Sequence, residues 1–192
     1  MPMTTISIAG VILAGGRGRR MQNKEKATLF LNGRTLWEHA YDNLAPQVDH
    51  IITMVAPNAN WMSNIDACAG AYFIHDRRAY EGPLHAIIHA MDWAHDHGIT
   101  HIMTLPVDQP FIPRDLSIKT RQLSILNPSF VRTADRAHWA IALWPVKERG
   151  RFKQQVHKGD RRLSSAHVFS IALDIEEQIP NFNTAEDIDT QK

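Results

Sequence analysis

The sequence predicts an α/β fold, a Rossmann-like arrangement in which a largely parallel sheet carries helices on both faces. Two observations carry that prediction. Short apolar runs of strand length alternate with stretches of helical spacing through the first half of the chain, the pattern of strand-to-helix crossovers onto a parallel sheet. The first such run ends abruptly in a loop holding three glycines within four residues, Gly15, Gly16 and Gly18.

Each element follows from local pattern. Ile6 to Leu13 is rich in isoleucine and valine and is stopped by Gly15-Gly16, so it reads as a buried strand. Leu36, Trp37, Ala40, Tyr41 and Leu44 recur at helical spacing. Ile51 to Val55 is a second apolar run of strand length, and Ala71 to Ile74 a weaker third that ends at His75-Asp76. Pro83 stands where a helix can begin, with Leu84, Ile87, Ile88, Met91 and Ala94 following on one face. His101 to Leu105 is a further strand, broken by Pro106. Beyond it, Ser129 to Thr133 and Trp139 to Leu143 are expected to pair around the turn-like Ala134-Asp135-Arg136. Lys147 to His157 is expected as a helix terminated by Gly159. Val168 to Leu173 reads as a strand, and Thr184 as the cap of a last helix through Asp187.

Length and composition bound what the chain can be. At 192 residues with no repeat, low-complexity tract or linker, residues 1–192 are expected to form a single domain. An apolar fraction of 44% supports a core that needs neither disulfides nor structural metal. Twenty-one basic against 20 acidic residues leave a formal charge of +1, which gives no reason to expect nucleic acid or a membrane surface as partner. The single cysteine, Cys68, has no internal partner for a disulfide, and between small residues it reads as a packing residue. No lysine or arginine precedes the apolar run at Ile6, as a signal peptide requires, and no window approaches the length of a bilayer span. A cytoplasmic setting is the expectation.

Chemistry concentrates in Val11-Ile12-Leu13-Ala14-Gly15-Gly16-Arg17-Gly18-Arg19-Arg20-Met21. Glycines let consecutive backbone N–H groups converge on phosphate oxygens, and arginines add fork-shaped, charge-assisted donors for the same oxygens. Lys26 follows as a compact positive charge. A polyphosphate is the ligand this loop suits. A Walker A loop would end in glycine-lysine-serine or glycine-lysine-threonine, which does not occur here. A dinucleotide fingerprint fails because its third glycine falls on Met21. A surface turn with solvated arginines is the alternative.

A second constellation is Leu105-Pro106-Val107-Asp108-Gln109-Pro110-Phe111, one carboxylate between two prolines just after a strand. Gly15 and Asp108 would then share the carboxyl end of the sheet, where α/β sheets bind ligands. A hard oxygen donor beside a triphosphate suits Mg²⁺. Taken alone, such an aspartate serves equally as a turn-former. Asp76, followed by Glu81-Gly82-Pro83-Leu84, reads either as a wall of the ligand site or as a capped turn. His85 and His89 have helical spacing but no acidic residue between them as a metalloprotease helix requires, so no metal is assigned to them.

Taken in order, these elements resemble the molybdenum cofactor guanylyltransferases, the MobA family of nucleotidyltransferases, over nearly the whole chain. The resemblance rests on Leu13-Ala14-Gly15-Gly16, Arg20-Met21, Lys26, Leu31-Asn32-Gly33 and Leu36. It continues through Asp76, Gly82-Pro83-Leu84, Pro106-Val107-Asp108-Gln109-Pro110-Phe111-Ile112-Pro113 and Asn181-Phe182-Asn183-Thr184. It departs where Gln22 to Glu25 replace a glycine- and aspartate-containing run, where Val107 replaces a cysteine, and where His138-Trp139 replaces histidine-proline.

The resemblance implies a fold of the nucleotide-diphospho-sugar transferase type and transfer of GMP from GTP to molybdenum-molybdopterin, with release of pyrophosphate. It implies nucleotide contacts from Leu13, Ala14, Gly15, Gly16, Lys26, Asp76 and Asp108, with Mg²⁺ on Asp108. Lys26, Arg20 and Asp108 would carry catalysis. Arg161 and Arg162, in Gly159-Asp160-Arg161-Arg162, would face the pterin together with Asn181 and Asn183. The partners implied are GTP, the molybdopterin cofactor and the molybdoenzymes or chaperones that receive the product. A cytidylyltransferase for the same cofactor and a non-catalytic nucleotide or cofactor carrier are the rival expectations. Gly15 favours guanine, since the cytidylyl relatives more often carry alanine there.

Overall fold

The computed structural model describes residues 6–15, 25–64, 71–76, 81–182 and 187. The first strand, β1 (Ile8–Leu13), is buried along almost its whole length and pairs in parallel with β4 (His50–Val55) on one side and β6 (His101–Pro106) on the other. A strand covered on both faces by helices must be apolar throughout, which is why Ile8 to Leu13 shows no polar alternation. Between β1 and β4 lie a two-stranded hairpin, β2 (Phe30–Leu31) with β3 (Arg34–Thr35), and helix α1 (Leu36–Leu44). Asn32 and Gly33 turn that hairpin with φ of 50° and 79°, the left-handed pair a tight two-residue loop demands. Thr35 then caps α1. Its hydroxyl accepts from the Glu38 backbone N–H while the Glu38 carboxylate accepts from the Thr35 N–H, a complete capping box.

Strand β5 (Tyr72–His75) adds outside β4. The chain then returns through α2 (Pro83–Asp96) to β6, on the opposite side of β1. Helix α3 (Leu116–Leu123) leads to β7 (Ser129–Arg132) and β8 (Ala137–Pro145). β8 runs antiparallel to both β6 and β7, with a register shift between Phe130 and Val131. Helix α4 (Arg149–His157), the short α5 (Leu163–Ala166) and edge strand β9 (Ile171–Asp174), parallel to β7, complete the order β5-β4-β1-β6-β8-β7-β9. Two cores flank the sheet. Trp37, Leu44 and Leu116 lie in the core that α1 and α3 cover, while Ile87, Met91, Phe152 and Ala166 lie in the one under α2, α4 and α5.

The predicted α/β class with helices on both faces is what the structure shows. Several details differ from expectation, among them the unforeseen β2–β3 hairpin and α5, and the start of α4 at Arg149 after a short helical turn at Val146–Glu148. β1 begins at Ile8, two residues later than the apolar run. His167 to Phe169 form a turn, so the last strand starts only at Ile171; Val168 and Phe169 are exposed, and a run of apolar residues here does not mark burial. Helix α3 has no counterpart in the periodicity reading, because its buried stripe is Leu116, Ser117 and Thr120 while Ile118 and Leu123 face outward. Gly159, at φ 87°, terminates α4 as expected. Cys68 and the expected cap Thr184 lie outside the described residues. Among the described residues no helix is long and apolar enough to cross a membrane.

Candidate active site

The chain runs outward from β1 to β4 and β5, then comes back to β6 on the other flank, so strand order reverses between β1 and β6. That reversal opens a crevice at the strands' carboxyl ends, the place such sheets hold ligands. Two backbone bonds extend the ladder past the strands. The Ala14 N–H donates to the Met54 carbonyl at 2.9 Å, and the Val107 N–H donates to the Leu13 carbonyl at 3.2 Å. Leu13, Ala14 and Gly15 therefore leave the sheet alongside the turn that carries Asp108. Gly16 and Arg20 lie outside the described residues.

Asp108 sits in the Pro106–Gln109 turn, closed by the Gln109 N–H donating to the Pro106 carbonyl at 3.0 Å. Lys26 opens a short helical turn, Lys26–Thr28, anchored by fully buried Ala27 and by the Thr28 hydroxyl donating to the Glu25 carbonyl at 2.9 Å. From there the Lys26 ammonium donates to Asp108 Oδ2 at 2.7 Å, across 82 residues of sequence. The two side chains are 22% and 23% exposed, shielded enough for charge to act at short range and open enough for a ligand to enter. Burial pushes the neighbouring Glu25 carboxyl up from its ordinary range.

The tail after β9 closes on the same turn. The Phe182 N–H donates to the Asp108 carbonyl at 2.8 Å, and the buried Phe182 ring packs edge-on against Phe111. Asn181 is thereby carried to the Asp108 turn; Asn183 lies outside the described residues.

Asp76 follows β5 and is held by its N–H donating to the Val55 carbonyl at 2.8 Å. Its side chain is 2% exposed, with His89 Nδ1 at 3.6 Å from Oδ1. Gly82 adopts φ 110°, a conformation open to glycine, and Pro83 opens α2. Glu81 beside them pairs with both His85 at 3.4 Å and Arg161 at 3.4 Å. Arg161 is thus fastened to the head of α2. Arg162 is turned toward Asp160, whose carboxyl it holds well below the usual range.

Asp76, His85 and His89 also line a cavity of about 730 Å³ between β5, α2 and α4. Lys26 and Asp108 are not among its lining residues. The cavity lies at the β5 and α2 side of the sheet, while the Lys26–Asp108 pair lies beside β1 and β6.

Three contacts had no signal in the sequence: Glu81 with Arg161, Phe182 with Asp108, and a hydrogen bond from Gln109 to His138. Each joins segments far apart in the chain, and periodicity cannot report such pairs.

Comparison with known proteins gives the family and supports the fold. Residues 10–170, well over half the chain, match the model of the MobA-like NTP transferase domain. A molybdenum cofactor guanylyltransferase of Acidiphilium cryptum is 35% identical over 140 residues, covering 72% of this chain and 67% of that one. One from Bradyrhizobium sp. is 29% identical with 96% and 92% covered. Among solved structures, the molybdopterin-guanine dinucleotide biosynthesis protein A of Archaeoglobus fulgidus superposes with a TM-score of 0.72 at 17% identity, over 95% of each chain, which speaks for the fold. The chain belongs to the MobA-like NTP transferase family and is a nucleotidyltransferase.

Proposed function

We propose that this enzyme transfers GMP from GTP to the terminal phosphate of molybdenum-molybdopterin, with Mg²⁺, giving molybdopterin guanine dinucleotide and pyrophosphate. The observation that carries the reading is the Lys26–Asp108 pair, 2.7 Å apart beside the end of β1. Its likeness to enzymes named guanylyltransferase supplies the nucleotide and the acceptor.

The donor set fits magnesium. Asp108 offers a hard, partly exposed carboxylate on a turn stiffened by prolines. A site completed by phosphate oxygens and water is what Mg²⁺ prefers. When bound, the ion would supply Lewis acidity and charge neutralisation at the phosphates.

The protein's part is positioning. Leu13, Ala14, Gly15 and Gly16 would seat the nucleotide, the Ala14 N–H staying on the Met54 carbonyl to hold the start of the loop, and Asp76 would wall its far side. The acceptor phosphate oxygen forms a bond to the α-phosphorus as the bond to the bridging oxygen breaks, and pyrophosphate carries away the electron pair. Lys26, moving from Asp108 to the triphosphate, and Arg20 would offset the charge on that leaving group. An ionised acceptor phosphate requires no general base. Arg161, Arg162, Asn181 and Asn183 are assigned to the pterin substrate, and molybdoenzymes or their chaperones to receipt of the product. One cysteine in 192 residues accords with a reducing cytoplasm.

Pyrophosphate release with purified molybdopterin cofactor and each of the four nucleoside triphosphates tests the reading. Turnover should be greatest with GTP. A preference for CTP would make the enzyme a cytidylyltransferase; nucleotide binding without pyrophosphate release would make it a carrier.

A further inference from the structure

The turn bearing Asp108 is braced from β8, the strand beside β6. Gln109 Nε2 donates to His138 Nδ1 at 3.0 Å, and His138 Nε2 lies 2.9 Å from Thr133 Oγ1. The Thr133 hydroxyl in turn donates to Asp135 Oδ1 at 2.6 Å. Gln109, His138 and Thr133 are 8%, 4% and 5% exposed, so this chain is sealed from water until it reaches Asp135.

Directions along the chain are fixed by what each group can do. An amide nitrogen only donates, so His138 Nδ1 must accept. The ring's hydrogen then sits on Nε2 and donates to Thr133, whose own hydrogen is free for the Asp135 carboxylate. One tautomer satisfies every member, and the hairpin of β7 and β8 is thereby coupled to a residue adjacent to Asp108. Proline rings stiffen φ at Pro106 and Pro110, the Gln109 N–H closes the turn on the Pro106 carbonyl, and the Phe182 bond fixes the Asp108 carbonyl, but none of these holds the Gln109 side chain.

We propose that His138 is a positioning residue for the reaction: acting through Gln109, with Thr133 and Asp135 setting its tautomer, it holds the Asp108 turn in the geometry that transfer requires. The inference rests on the reading of Asp108 as the reactive carboxylate. Supporting partners of metal-bearing side chains ordinarily matter to activity by 10- to 100-fold. A loss of that order is expected here without loss of nucleotide affinity.

The test measures pyrophosphate release by His138→Phe, His138→Gln and Thr133→Val, with Asp108→Asn assayed in parallel, each at varied GTP and varied Mg²⁺. His138→Phe should lower kcat by roughly 10- to 100-fold, leave the KM for GTP within about twofold, and raise the Mg²⁺ concentration for half-maximal rate. His138→Gln, whose amide can both accept and donate, should recover much of the loss. Thr133→Val keeps the ring but removes the partner of Nε2, and should fall between them; it also decides the matter if His138→Phe does not fold. A merely structural role would lower the folded fraction while leaving the Mg²⁺ dependence of the folded enzyme unchanged. That result, or unchanged kcat in folded His138→Phe and Thr133→Val with Asp108→Asn inactive, overturns the proposal. Activity retained by Asp108→Asn would instead overturn the assignment of Asp108.

Discussion

Lys26 and Asp108 make a short ion pair, but its position decides what it contributes. With about a fifth of each side chain exposed, solvent competes for both charges, so the pair contributes little to stability, less than about 1 kcal/mol by the usual measure of such contacts. Under the proposed function its value would lie in chemistry, with Asp108 left to hold Mg²⁺ once Lys26 turns to the phosphates. Asp108→Ala should therefore unfold within about 3 °C of the parent while losing activity by on the order of 10²–10³-fold. Calorimetry and pyrophosphate release on the same preparation check both halves. A large fall in melting temperature would mean the pair is structural.

Gly10 is a residue whose role is steric. A Cβ there would come within 2.9 Å of Leu44 Cγ and 3.0 Å of Val48 Cγ2, so glycine is what lets the end of α1 approach β1. Leu44 is fully buried with nowhere to move. Gly10→Ala should destabilise by about 1–3 kcal/mol through overpacking, as chemical denaturation would show. The sequence displays Gly10 as one more small residue in an apolar strand, and nothing in the pattern marks it as a contact point. Gly15 is different, because a glycine run that stops a strand and precedes arginines carries its chemical meaning locally.

Among elements, legibility followed the same division. α1, α2 and the strands β1, β4, β5 and β6 were readable because their apolar spacing and their stops are local, such as the proline at the head of α2; the two-residue strands β2 and β3 are too short for a period to show. Helix α3 was not, since it buries serine and threonine; Thr120 there satisfies its hydroxyl on the carbonyls of Leu116 and Ser117. The capping box offers a measurable consequence. Thr35→Ala removes the hydroxyl that accepts from Glu38 and should cost about 1 kcal/mol, or roughly 2–4 °C, with activity per folded molecule unchanged.

The β8, α5 and β9 region carries a pH dependence of its own. His167 is 4% exposed beneath Trp139 and Trp144, its Nε2–H donating to the Trp139 carbonyl and its Nδ1 accepting from the Ser170 hydroxyl. Burial, aided by the Arg151 charge, pushes its pKa down from 6.5 to about 4 against the pull of the Trp139 bond. Burial likewise depresses His138 and His101. Between those limits the unfolded chain binds a proton that the folded chain refuses, so stability rises with pH across the window. It is fully present above about pH 6.5 and is lost as pH falls toward 4. His167 alone accounts for a loss on the order of 3 kcal/mol over that range. His167→Gln, which keeps a donor for the Trp139 carbonyl, should flatten the fall in denaturation midpoint between pH 6.5 and 4.5. An unchanged slope would place the acid sensitivity elsewhere.

At the scale of the whole molecule, the crevice is built from parts the chain visits at widely separated times. In the proposed site the segment after β1 supplies Ala14 and Gly15, the turn before β2 supplies Lys26, the turn after β6 supplies Asp108, and the Phe182 N–H bonds to the Asp108 carbonyl. A ligand seated there ties both flanks of the sheet and the C-terminal tail together, and it has nothing comparable to bind once the chain unfolds. Binding should therefore raise stability by RT ln(1 + [L]/Kd), about 2.7 kcal/mol at a hundredfold excess over Kd. For a chain of this length that corresponds to a melting temperature higher by roughly 5–10 °C in GTP with Mg²⁺. GTP without the ion should give a smaller shift, because the triphosphate then faces the Asp108 carboxylate without a bridging cation. Asp108→Ala should lose the increment due to Mg²⁺ while keeping whatever GTP alone provides through the β1 loop and Lys26. If Mg²⁺ adds the same increment to parent and variant, the ion binds away from β6, and the two flanks of the sheet do not meet on one substrate.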